Sequence, residues 1–155
     1  MIRGSSIYDI IASAICLLML IGISVYLIVA WGSLPDLVPG HYNAAGEVDR
    51  WDGKGILIIL VAASWALLII ITVCERFPRT WNTAGIRITE ENSARIYKIM
   101  RRLLSTVKLV VVAAFVFITL YSSLATSLPG WFLPVFLFLC LGPVVYFTVR
   151  LYRAR

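Results

Sequence analysis

The sequence predicts an all-α, polytopic membrane protein: a four-transmembrane-helix bundle with an ordered extracytoplasmic loop between helices 1 and 2. Three observations lead there. The 155 residues are 61% hydrophobic and only 14% charged, with a mean hydropathy of +0.91, whereas a soluble domain carries about 25% charged residues. The apolar residues gather in four runs, at 10–31, 55–74, 103–126 and 131–149, each close to the ~20 residues of helix that cross a bilayer core. The basic residues then fall on one set of connections. Arg3 precedes the first run. Arg76, Arg79, Arg87, Arg95, Lys98, Arg101 and Arg102 lie between the second and third, and Arg150, Arg153 and Arg155 follow the fourth. The first loop holds only Arg50 and Lys54, and the turn at 127–130 holds none. By the positive-inside bias, both termini and the middle loop are cytoplasmic and the other two connections face outward. The formal net charge of +6 is thus an orientation signal in a membrane protein. It is not a nucleic-acid footprint. The basic cytoplasmic face also suits anionic lipid.

A single membrane domain over 1–155 is expected, with spans near 8–31, 55–75, 93–126 and 131–151. The first run is too long for a signal-peptide core and lacks a small-x-small cleavage site before the loop. Span one carries Tyr8 and Asp9 at its inner edge and Trp31 at its outer end, where an indole suits the headgroup layer. In span two, Ala62 and Ala66 are four residues apart, share a face and allow close helix approach. The segment 75–85 contains Pro78 and reads as irregular. Thr89 reads as an N-cap with Glu90 and Glu91 in the first turn. The apolar stripe of Ala94, Ile96, Tyr97, Ile99, Met100, Leu103 and Leu104 then makes an amphipathic lead-in to the third and longest span. Lys108 is the one ionisable residue well inside a run. It lies six residues, or about 9 Å of helix, past Arg102, so its amine is expected to snorkel to the cytoplasmic surface rather than pair in the bundle centre. In span four, Gly142-Pro143 predicts a kink. Cys16, Cys74 and Cys140 sit in or beside apolar runs without any C-x-x-C and read as small packing residues.

The functional signal concentrates in residues 31–54, WGSLPDLVPGHYNAAGEVDRWDGK. This loop holds the single histidine, His41, together with Asp36, Glu47, Asp49 and Asp52. Pro35 and Pro39 stiffen it, and Gly40 and Gly46 permit tight turns. Asn43-Ala44-Ala45-Gly46 reads as a turn, with Asn43 capping backbone groups and Gly46 at positive φ. His41 and Asp49 are placed to hydrogen-bond across the loop. Trp31, Tyr42 and Trp51 offer aromatic surface for an apolar peptide or a lipid. A cation on these oxygens is conceivable, but no calcium-loop spacing is present. The loop is expected to be folded over the outer ends of the spans.

The pattern L-P-D-x-V-P-x-H-Y-N-x-x-G-x-x-D-R-W-x-x-K resembles the N-terminal domain of unknown function of SdpI-type immunity proteins, small bacterial integral-membrane proteins. I-T-E-E-N at 88–92, followed by Tyr97 and Arg101-Arg102, looks like that family's loop after the second span. The resemblance covers roughly 31–120, and the C-terminal SdpI-type domain of the longer members is not seen. It implies protection against, or sensing of, an extracytoplasmic peptide or lipid-like ligand, with a peptide toxin outside and a cytoplasmic repressor inside as partners. Carried over by the motif, Pro39, His41, Asn43, Gly46, Asp49 and Lys54 are the ligand-binding or loop-structuring residues. Arg76, Arg79, Arg87, Arg95, Arg101 and Arg102 form the cytoplasmic contact surface.

No Ser-His-Asp set, phosphate loop or H-E-x-x-H is present, and one histidine does not make the usual zinc site. The expectation is no enzyme, no cofactor and no metal. Two readings from other classes stay open. One is a small transporter or permease component working as an oligomer, which a polar cavity between spans would favour. The apolar runs themselves hold no carboxylate of the kind ion-coupled carriers use. The other is an accessory subunit of a larger membrane complex.

Overall fold

A computed structural model describes residues 6–78, 81, 83 and 85–154. Among these, four helices are long and apolar enough to cross a membrane: α1 Ile7–Ala30, α2 Ile56–Cys74, α3 Glu90–Ser123 and α4 Phe132–Tyr152. Between α1 and α2 the loop forms two strands, β1 Leu37–Tyr42 and β2 Val48–Gly53, paired antiparallel. The protein is therefore a multi-pass membrane bundle with an ordered loop. That the loop is a β-hairpin lay beyond the turn read from Asn43 and Gly46.

The helix starts follow from local chemistry. Ser6 opens α1 with a capping box: its hydroxyl accepts from the Asp9 amide, and the Asp9 carboxylate accepts from the Ser6 amide. Thr89 opens α3 as expected, but its reciprocal partner is Asn92, not a glutamate. Each such cap stabilises its helix by about 1 kcal/mol. At the far end, α3 closes by bonds from Ala125 N to Ser122 O and from Thr126 N to Tyr121 O. This is a Schellman closure, with Ala125 at φ 53° where glycine is usual.

The third helix organises the bundle. It packs against α1, α2, α4 and β1, whereas α1 and α2 touch each other sparingly and α4 packs mainly on α3. With 34 residues it is about 51 Å long, well beyond the ~30 Å of hydrocarbon. Its first third is the predicted amphipathic lead-in. Ile96, Ile99 and Met100 form a core there with Ile86, Leu151 and Ala154. A second core joins Cys16, Leu20 and Ile23 of α1 to Leu68 and Val112. A third sits under the hairpin: Leu27, Leu34, Val38 and Leu57. Helix α4 runs through Pro143 without interruption.

Two packing expectations change. Ala62 and Ala66 do not mediate helix approach within this chain; both are exposed. Ala62 lines an apolar groove of about 640 Å³ between α1 and α2, with Leu27, Trp31, Val61 and Trp65. Cys16 is buried as expected, but Cys74 is exposed. The start of α1, the end of α2, the first half of α3 and the end of α4 meet at one end of the bundle, here the terminal end; the opposite end is the hairpin end.

Candidate functional site

At the hairpin end the predicted loop residues do separate jobs. Asn43 builds the turn. Its Oδ1 accepts from the Ala45 and Glu47 amides at 2.9 and 3.0 Å, and its Nδ2 donates to Glu47 Oε2 at 3.0 Å. Gly46 takes φ +85°, and a Cβ there would lie 2.6 Å from the Leu128 carbonyl oxygen. That closeness exists because the Leu128 amide donates to Gly46 O at 2.8 Å, joining the turn to the α3–α4 connection. Pro39 is fully buried, and its carbonyl accepts from Ser122 Oγ at 2.6 Å. The Tyr42 hydroxyl donates to Thr126 O at 3.1 Å. Burial pushes the Tyr42 phenol up to about 12, partly offset by the Ser122 hydroxyl. The hairpin thus lies on the end of α3, as expected.

His41 and Asp49 meet. The pairing runs Tyr42 with Val48, then His41 with Arg50, so Asp49 is an extra residue in β2. Such a bulge re-aims a side chain, and here it sets Asp49 Oδ1 2.6 Å from His41 Nδ1. A carboxylate only accepts, so the hydrogen sits on Nδ1 and Nε2 is the outward ring nitrogen. Both side chains are well exposed. Gly40 is the matching extra residue of β1; a Cβ there would overlap the Asp52 carboxylate. Lys54 stands at the hairpin base, 3.1 Å from Asp36 and above the Trp31 ring. The four loop acids therefore have four different partners: Asp36 with Lys54, Glu47 with Asn43, Asp49 with His41 and Asp52 with Arg50. They brace the hairpin and do not converge on one point.

The terminal end overturns the expectation for Lys108. Its side chain is fully buried and does not snorkel. The amine donates to Glu75 Oε2 at 2.8 Å, Ser13 Oγ at 2.9 Å and Thr72 Oγ1 at 3.5 Å. Ser105, also fully buried, lies 3.1 Å from Asp9 Oδ1 and 3.0 Å from Glu75 Oε1. The physical reason is supply of partners. Residues of α1 and α2 fill all three amine hydrogens locally, so the stem has no need to reach the surface. Lys108 was legible as an oddity, but its partner Glu75, and the Asp9 that shares Ser105 with Glu75, were not. Asp9 and Glu75 border their apolar runs and read as edge residues, although both border them on the side of the membrane that Lys108 approaches.

The predicted basic surface is not one face. Arg76, Arg87 and Arg95 are exposed. Arg101 turns inward to donate to the Glu75 carbonyl at 3.1 Å, and Arg102 is half-buried with its Nε enclosed. Arg79 lies outside the described residues.

Residues 15–64, from within α1 through the hairpin into α2, match a family described as a domain of unknown function, DUF1648. This stretch contains the whole motif that carries the resemblance. No curated protein and no solved structure matches the chain.

Proposed function

We propose that the protein is a bacterial plasma-membrane protein of SdpI-like immunity or signalling type, sensing or neutralising an extracytoplasmic peptide or lipid-like ligand through the 32–54 hairpin. The supporting observation is the braced hairpin, which holds His41 Nε2 and the half-exposed Trp51 outward on a frame that need not reorder when a ligand arrives. Its base adjoins the α1–α2 groove at Trp31, so an amphipathic ligand would find a polar rim above an apolar slot. DUF1648 occurs in SdpI-type proteins, in line with this reading. The hairpin end faces outward by the positive-inside bias. The exposed Arg76, Arg87 and Arg95 would then meet a cytoplasmic partner such as a repressor. Neither enzymatic activity nor a resident metal is part of the proposal.

The test is protection. A sensitive bacterium expressing the chain is challenged with a membrane-active peptide toxin, and His41→Ala and Asp49→Ala are compared with the parent. Protection should disappear in both while the purified variants remain folded. Full protection by the double variant would remove the hairpin as the functional site. The buried Lys108 cluster favours a second reading, a small transporter component working as an oligomer, because intramembrane ionisable groups commonly mark ion pathways. Substrate flux into vesicles that depends on Glu75 would support it.

A further inference from the structure

Among the described residues, the buried cluster at the terminal end has one hydrogen too few. Lys108 spends its three on Glu75, Ser13 and Thr72. Asp9 Oδ2 is satisfied by the Ser6 amide and hydroxyl, and Glu75 Oε2 by Lys108. Asp9 Oδ1 and Glu75 Oε1 remain, and both lie at hydrogen-bond distance from one atom, Ser105 Oγ. A serine hydroxyl brings a single hydrogen, and ionised carboxylates bring none. Two full hydrogen bonds therefore need one more, in a place where Asp9 is 4% exposed and Ser105 is 0% exposed.

We propose that Asp9, Ser105 and Glu75 form a proton-binding site that holds one proton shared between α1 and α2. On uptake from water an O–H bond forms at Asp9 Oδ1, and this hydroxyl donates to Ser105 Oγ. The Ser105 hydrogen then points to Glu75 Oε1. Passage across the site moves the Asp9 hydrogen to Ser105 as the Ser105 hydrogen moves to Glu75, leaving serine unchanged and one proton on the glutamate. The ligand is a proton rather than a metal cation, because the three oxygens are spaced for hydrogen bonds and the second oxygen of each carboxylate already accepts from protein donors.

The charged and titratable groups around it come from every packed helix. Helix α1 gives Asp9, Tyr8 through Thr106 and the buried Cys16 thiol, which is within electrostatic range of Lys108 and Glu75. From the C-terminal end of α2 come its cap Glu75 and the exposed Arg76 just beyond. Helix α3 gives Lys108, Arg101 and Arg102, and α4 brings Arg150, Tyr152 and Arg153 to the same end. The cations oppose uptake: Arg76, Arg150 and Arg153 are exposed and screened by water, whereas half-buried Arg101 reaches the Glu75 carbonyl. Lys108 is already committed to Glu75.

Infrared spectroscopy of the full chain in lipid vesicles reads the proton directly. At neutral pH the wild type should show a protonated-carboxyl C=O stretch that shifts in deuterium oxide. Asp9→Asn or Glu75→Gln should abolish it, and Ser105→Ala should change its frequency. No such band in the wild type would overturn the proposal, as would a band surviving unchanged in both carboxamide variants. Loss of the band when sodium replaces choline would identify a metal-cation site instead. The wild-type spectrum decides the matter even where a variant fails to fold.

Discussion

The two ends of this bundle are held by different physics. At the hairpin end, main-chain groups do most of the joining: Leu128 to Gly46, Ser122 to the Pro39 carbonyl, and Tyr42 to the Thr126 carbonyl. Each contact is neutral. At the terminal end, side chains 33 and 96 residues apart in sequence enclose a charged pair. Loss of one neutral bond costs about 0.5–1.5 kcal/mol, whereas stripping one partner from a buried ion pair costs about 3–5 kcal/mol. The hairpin end should therefore fail gradually and the terminal end abruptly.

The largest expected effect tests that contrast. Lys108→Met leaves Glu75 without its cation and should lower stability by about 3–5 kcal/mol, read as lost folded yield and an early thermal transition in detergent. Pairing it with Glu75→Leu should recover most of the loss, since an apolar replacement of both partners is often neutral. Normal stability of the single variant would erase the distinction between the ends.

Gly46→Val comes next. A β-branched residue at φ +85° is strained by roughly 1–2 kcal/mol before any clash, and its Cβ would meet the Leu128 carbonyl. Proteolysis should cut the hairpin while α3 and α4 stay protected. Asn43→Ala removes two bonds to backbone amides and should cost about 1–3 kcal/mol by the same per-bond figure. His41→Ala removes one exposed bond, so its stability change should be well under about 1 kcal/mol. Equal losses for the two would blur the division between turn builder and outward-facing group.

A further effect is alkaline. Folding holds the Tyr42 proton to about pH 12, while the unfolded chain releases it near 10.0. Above pH 10 the unfolded state binds fewer protons, so stability is intact below that value and declines as pH rises through about 12. Tyr42→Phe should lack this decline when compared with the parent by thermal unfolding at alkaline pH.

Legibility followed the same division. The spans were readable because about 20 apolar residues have few alternatives to a membrane helix. Asn43, Gly46 and the His41–Asp49 pair were readable because turn chemistry acts over a few residues. The strands were not, since the β1 sequence LVPGHY breaks alternation with Pro39 and Gly40, and pairing requires two extra-residue irregularities. Lys108 was misread because a snorkelling lysine and a paired one look the same along one helix. Only the meeting of three helices distinguishes them.

The central place of α3 has a consequence for biogenesis. The chain emerges N-terminus first, so α1, the hairpin and α2 enter the bilayer as an incomplete pair with few mutual contacts. Asp9 and Glu75 wait at the water boundary, where ions are solvated. Arrival of α3 delivers Lys108 to Glu75 and Ser105 to both acids, and its end supplies Ser122 and Thr126 to the waiting hairpin. The contacts that close the bundle at both ends thus wait on translation of the third helix.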